Sequence, residues 1–162
     1  MCIRDSARGV VHRDLKPDNV FLATLDRRVV PKILDFGLAK LTFVQASLDA
    51  GVDLTRSGAL LGTPHYMAPE QIGGARDVDP RADVWSLGVM LWECLAGARP
   101  FEGRGYGPLF QAITALPIPS LAAVRPDLPP PLLDLVQRML QRERALRPTL
   151  DQVATVLSDL DA

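Results

Sequence analysis

Apolar positions change their rhythm at about residue 68. Before it they come in short bursts. Val10-Val11 stops at a polar cluster, and residues 20–23 and 29–34 read as two β-type runs joined by 24–28, a connection of hairpin length. Residues 38–66 keep neither a helical nor a strand period; Thr, Ser, Gly and Asp recur, which predicts a long loop of the kind that usually carries function. After 68 the spacing is helical. Asp79-Pro80 supplies an N-cap followed by proline at the first helical position, and the predicted helix runs to about Ala96, with Gly97 as its stop. It is apolar nearly all round, as a helix at the centre of a core should be. A short helix is predicted over 108–115, and an extended surface loop over 116–131, where prolines crowd. Leu132, Leu135, Val136, Met139 and Leu140 return to helical spacing. Thr149-Leu150-Asp151-Gln152 reads as a capping box, with Leu150, Val153, Ala154 and Leu157 on one face behind it. The pattern gives an α+β fold, mainly helical, with a small β-hairpin region.

Composition narrows the picture. With 18 basic and 19 acidic residues among 162, the net charge of -1 argues against a nucleic-acid or polybasic membrane surface. Hydrophobic residues make up 48% and charged ones 23%, which suits a globular domain rather than a disordered tail. Cys2 and Cys94 stand far apart, so a disulfide framework and structural zinc are both disfavoured, and a reducing, cytoplasmic compartment is expected. The apolar run 84–98 is interrupted by Ser86 and Glu93 and falls short of the roughly 20 residues that span a bilayer, so no membrane segment is expected here.

The candidate chemistry lies in three clusters. His12-Arg13-Asp14-Leu15-Lys16-Pro17-Asp18-Asn19 sets a carboxylate, an ammonium and an amide in one turn between strands. Phosphoryl transfer needs this set: Asp14 to accept a hydroxyl proton, Lys16 to neutralise phosphoryl oxygens, Asn19 to ligate Mg²⁺. Asp35-Phe36-Gly37 follows an apolar strand, across the hairpin from Asn19, so that Asp35 and Asn19 together suit Mg²⁺ on a nucleotide. The third cluster is Gly62-Thr63-Pro64-His65-Tyr66-Met67-Ala68-Pro69-Glu70. Taken singly, each of these residues also has a plain structural role: a packed imidazole at His12, a turn aspartate at Asp35, a solvated acid at Glu70.

Together the clusters resemble the eukaryotic-type serine/threonine protein kinases, in the bacterial branch suggested by the excess of Arg over Lys. The first is similar to the His-Arg-Asp-Leu-x-x-x-Asn catalytic loop, the second to the Asp-Phe-Gly motif and the third to the Ala-Pro-Glu end of the activation segment. The resemblance implies ATP and Mg²⁺ (Mn²⁺ as an alternative) as cofactors and proteins bearing Ser or Thr as substrates, with autophosphorylation in trans. It implies Asp14, Lys16, Asn19 and Thr63 as catalytic residues, Lys16, Asn19 and Asp35 toward the nucleotide, and Asn19 and Asp35 toward the metal. Thr63 would contact both Asp14 and Lys16. His12, Phe36, Gly37, Glu70, Asp83 and Arg147 would support the site, Glu70 by a buried ion pair with Arg147 and Asp83 by bonding the catalytic-loop backbone. Arg13 resembles the arginine that receives an activation-loop phosphate of about -2 charge; Thr55 and then Ser57 are the favoured acceptors, with Thr42 and Ser47 also available.

The likeness begins at about Ala7 and covers the larger, C-terminal kinase lobe, residues 7–162. Residues 1–6 do not continue the family pattern and read as a leader or an artefact. No glycine-rich phosphate loop, Val-Ala-Ile-Lys strand or partner glutamate helix occurs in the sequence. These 162 residues are therefore expected to be inactive alone, to expose apolar surface, and to belong to an active parent whose membrane anchoring, if any, lies elsewhere. A pseudokinase or scaffold is the alternative reading, and an unrelated helical interaction module the remote one.

Overall fold

The computed structural model describes residues 11–25, 27–34, 64–75 and 77–160. A 3-10 turn, Pro17–Asn19, leads into strands β1 (Val20–Leu25) and β2 (Arg28–Ile33). They pair antiparallel with Leu25 opposite Arg28, so the connection is two residues long, shorter than the predicted one. Such a turn matches the strand twist only with positive φ, and Arg27 adopts +62°. Pro31 is tolerated because each strand of a two-stranded sheet is an edge. Leu34 N–H bonds the Asn19 carbonyl at 2.8 Å and closes the open end of the hairpin. Phe21, Leu22 and Val29 are 57%, 63% and 64% exposed.

Six helices follow. After a 3-10 turn at Pro64–Tyr66 come α1 (Pro69–Ile72), α2 (Arg81–Ala96), α3 (Tyr106–Thr114), α4 (Leu121–Val124), α5 (Pro130–Met139) and α6 (Leu150–Leu160). Helix α2 begins one residue later than predicted, with Pro80 as its N-cap rather than its first residue, and Asp79 Oδ1 accepts the Arg81 N–H at 2.8 Å. It ends at Gly97, whose φ is +73° and whose N–H reaches the Glu93 carbonyl. Its apolar circumference is buried on two sides. Trp85, Val89 and Trp92 face one cluster, which also takes in Phe101, Ile113 and Leu121; Val84 faces a second, built with Leu135, Met139 and Val153. Each such side chain contributes about 1.5–3 kcal/mol on burial. Trp85 stacks on Phe101 at 5.5 Å.

The capping box closes as predicted: Gln152 N–H bonds Thr149 Oγ1, and Thr149 N–H bonds Gln152 Oε1. Two local expectations need correction. Val11, which the reading of 12–19 as a turn between strands would place in a strand, is not in one. The proline-rich stretch is not wholly extended: the proline-free Leu121-Ala122-Ala123-Val124 forms α4 with Leu121 buried, and Pro130 and Pro131 open α5, where a missing N–H costs nothing.

Candidate active site

The turn carrying His12, Arg13 and Asp14 has no ladder to hold it. Side chains bond its backbone instead. Asp83, on the first turn of α2, accepts His12 N–H at 2.8 Å on Oδ2 and Arg13 N–H at 2.9 Å on Oδ1. Gln71 Nε2 donates to the Arg13 carbonyl at 2.8 Å. Asn19 Nδ2 donates to the Asp14 carbonyl at 2.7 Å and to Asp14 Oδ2 at 3.1 Å. Asp14 N–H bonds His12 Nδ1 at 3.3 Å. That bond leaves the other imidazole nitrogen as the donor, and Nε2 meets the Leu34 carbonyl at 3.1 Å. His12 thus ties the turn to the end of β2.

Arg13 needs this support because its φ is +65°, a left-handed conformation that costs a non-glycine residue about 1–2 kcal/mol. Burial pushes the Asp83 carboxyl above its ordinary 3.8, against the downward pull of the two N–H donors.

Lys16 Nζ lies 3.6 Å from Asp18 Oδ2, with its side chain largely buried. Glu70 and Arg147 form a bidentate pair at 2.7 and 2.8 Å. Asp35, Phe36, Gly37, Thr55, Ser57 and Thr63 lie outside the described residues, as do Thr42 and Ser47. Asn19 offers a direct test of metal fit. Both of its side-chain hydrogen bonds run from Nδ2 to Asp14 oxygens, which fixes the amide orientation. Its Oδ1 is the amide atom that these two bonds leave uninvolved, a hard oxygen of the kind Mg²⁺ takes.

Two supports escape the sequence reading. Gln71 is buried and satisfied at both ends, for its Oε1 accepts Ala68 N–H at 3.0 Å. Ser86 Oγ donates to the Tyr66 carbonyl at 2.7 Å and pins the Pro64–Tyr66 turn to α2; a hydroxyl within the apolar run 84–92 was its visible signal. Beside it Tyr66 OH donates to Glu93 Oε2 at 2.5 Å, and burial together with Glu93 raises the phenol well above its ordinary 10.0.

The protein kinase domain family matches residues 6–156. The chain is similar to the serine/threonine-protein kinase Pkn1 of Myxococcus xanthus, at 42% identity over 138 residues, 85% of this chain and 19% of the relative. It is similar to the serine/threonine-protein kinase PknA of Mycobacterium tuberculosis, at 39% identity over 155 residues, 93% of this chain and 33% of the relative. Among solved structures, Rad53 1-466 in complex with AMP-PNP superposes with a TM-score of 0.63 and 28% identity, over 88% of this chain and 32% of that one. The chain therefore spans 19% and 33% of the length of these two curated relatives. No helix among the described residues is long and apolar enough to cross a membrane.

Proposed function

The chain belongs to the protein kinase domain family, and from that premise we propose that it carries the catalytic-loop half of an ATP-dependent phosphotransfer site acting on Ser and Thr of proteins. One observation carries the reading: the carboxylate of Asp14 and the amide of Asn19 are held within 3.1 Å of each other on a turn clamped to the central helix. The Asp14 carboxylate accepts the proton of the substrate hydroxyl as that oxygen bonds the γ-phosphorus and the bond to the bridging oxygen of ADP breaks. Lys16 brings an ammonium to the charge that gathers on the phosphoryl oxygens. Asn19 Oδ1, with Asp35, would hold Mg²⁺, which supplies charge neutralisation on the nucleotide.

In this reading Thr63 contacts Asp14 and Lys16, and Arg13 receives a phosphate from Thr55 or Ser57 added in trans. The cytoplasm is its compartment. The glycine-rich loop and its lysine strand do not occur in these 162 residues, so the isolated chain should not turn over.

The test is peptide phosphorylation by the full-length protein with labelled ATP. Asp14→Asn should lower kcat roughly 10²–10⁴-fold. Undiminished transfer by that variant would remove the reading. Mass spectrometry of an active preparation with both Thr55 and Ser57 unmodified would remove the phosphosites alone.

A further inference from the structure

We infer that Gln71 is a positioning residue for phosphoryl transfer, acting through the peptide plane that carries Asp14; the inference rests on the function proposed above. A buried glutamine whose amide is satisfied at both ends needs no function, since any buried amide must be bonded. What distinguishes Gln71 is the identity of its partners. Its Nε2 bonds the carbonyl of Arg13, the residue immediately before the proposed base. Its Oε1 bonds the N–H of Ala68, the reach of an N3 side chain back to the helix N-cap.

The peptide between Arg13 and Asp14 has two polar groups. Its N–H is held by His12 Nδ1 at 3.3 Å and its C=O by Gln71 at 2.8 Å, so Gln71 makes the shorter of the two bonds. Asp83 fixes the other side of Arg13 through its N–H. With φ at +65°, Arg13 is drawn toward ordinary backbone conformations once either restraint goes. Rotation of that peptide swings the Asp14 carboxylate relative to the Asn19 amide.

The restraint works from a firm base. Helix α1 is four residues long, and the neighbouring Glu70 is locked to Arg147. Adjacent residues of one short helix thus grip the core with one side chain and the catalytic turn with the other. Through Ala68, the same glutamine ties the backbone just after the Pro64–Tyr66 turn to the backbone just before Asp14.

The experiment compares wild type, Asp14→Asn, Gln71→Met and Gln71→Glu in the full-length protein. It reads kcat at saturating ATP and peptide, KM for ATP, and Tm. Methionine loses both hydrogen bonds; glutamate keeps an acceptor for Ala68 N–H but, as a carboxylate, has no donor for Arg13. Both should lower kcat by roughly 10- to 100-fold, as an ångström-scale misplacement of a catalytic group does, with KM for ATP within about twofold. Tm should fall further in Gln71→Met. A purely structural role predicts otherwise: kcat would follow the folded fraction, and Gln71→Glu would keep nearly wild-type turnover. Either that result or full kcat in folded Gln71→Met overturns the inference. Should Gln71→Met melt below the assay temperature, Gln71→Glu decides alone. Loss of any difference between wild type and Asp14→Asn would instead remove the proposed function, and this inference with it.

Discussion

Arg147 spends every donor it has, and Glu70 takes two of them. The pair meets at 2.7 and 2.8 Å across 77 positions of sequence, while the remaining N–H groups go to the carbonyls of Gln141, Arg81 and Arg142. The guanidinium also lies 5.1 Å from the centroid of Trp85. Its side chain is wholly buried, and that of Glu70 is 12% exposed. Removing one partner should strand a buried charge at a cost of about 3–5 kcal/mol. Glu70→Gln and Arg147→Met are both expected in that range by urea unfolding. Arg147→Lys should recover little, because a lysine has three donors for five acceptor contacts. A loss below about 1 kcal/mol in Glu70→Gln would contradict this account.

Asp83 is the next point of weakness. In Asp83→Ala the N–H groups of His12 and Arg13 lose their acceptors, at about 1–3 kcal/mol for each buried unpaired group. Turnover of the full-length protein should fall with it, because Arg13 loses a restraint on its left-handed backbone. Wild-type kcat in a folded Asp83→Ala protein would show that the clamp is dispensable.

His65 should give stability a pH dependence. Burial first, and then Arg99, hold its imidazole below the ordinary 6.5, against the opposing pull of Glu102 and Glu93. Its Nδ1 is buried with no hydrogen-bond partner among the described residues. Between the lowered value and 6.5 the unfolded chain therefore binds more protons than the folded one. The contribution is complete above 6.5 and is lost as pH falls through the folded value. Urea midpoints from about pH 7 down to about pH 5 should decline less steeply in His65→Gln than in wild type. Parallel profiles would assign the acid slope to other groups.

Gly88 sets two familiar effects against each other. Alanine in a helix interior is worth about 1 kcal/mol over glycine. Here its Cβ would lie 2.9 Å from Met139 Cβ and 3.2 Å from Leu140 Cδ2. A Cβ cannot rotate away, so α5 must shift, and overpacking of this kind costs about 1–3 kcal/mol. Gly88→Ala should lower Tm; a rise would mean that α2 and α5 have slack between them.

The hairpin, the central helix with both its ends, and the capping box of α6 were legible because each is written locally: β-branched runs, Asp79 with Pro80, Gly97, and Thr149 with Gln152. Motif order likewise drew attention to Asp14, Asn19, Glu70 and Arg147. Gln71 had no such signal. Its partners are three and 58 positions away, and only the packing of α1 against the turn selects them. Leu121 was obscured for a related reason: proline count describes the flanks of α4 and not the four residues between them.

The clamp by Asp83 also sets how the turn opens in time. Asp83 sits in the first turn of α2, the helix that both apolar clusters share. The amide protons of His12 and Arg13 can reach solvent only when that carboxylate lets go, and the carboxylate moves with the helix. Their hydrogen exchange should therefore follow the slow, cooperative opening of α2 rather than the fast fraying usual for a surface turn. The turn and the first turn of α2 are then expected to open together, so a population that has lost the helix has also lost the turn.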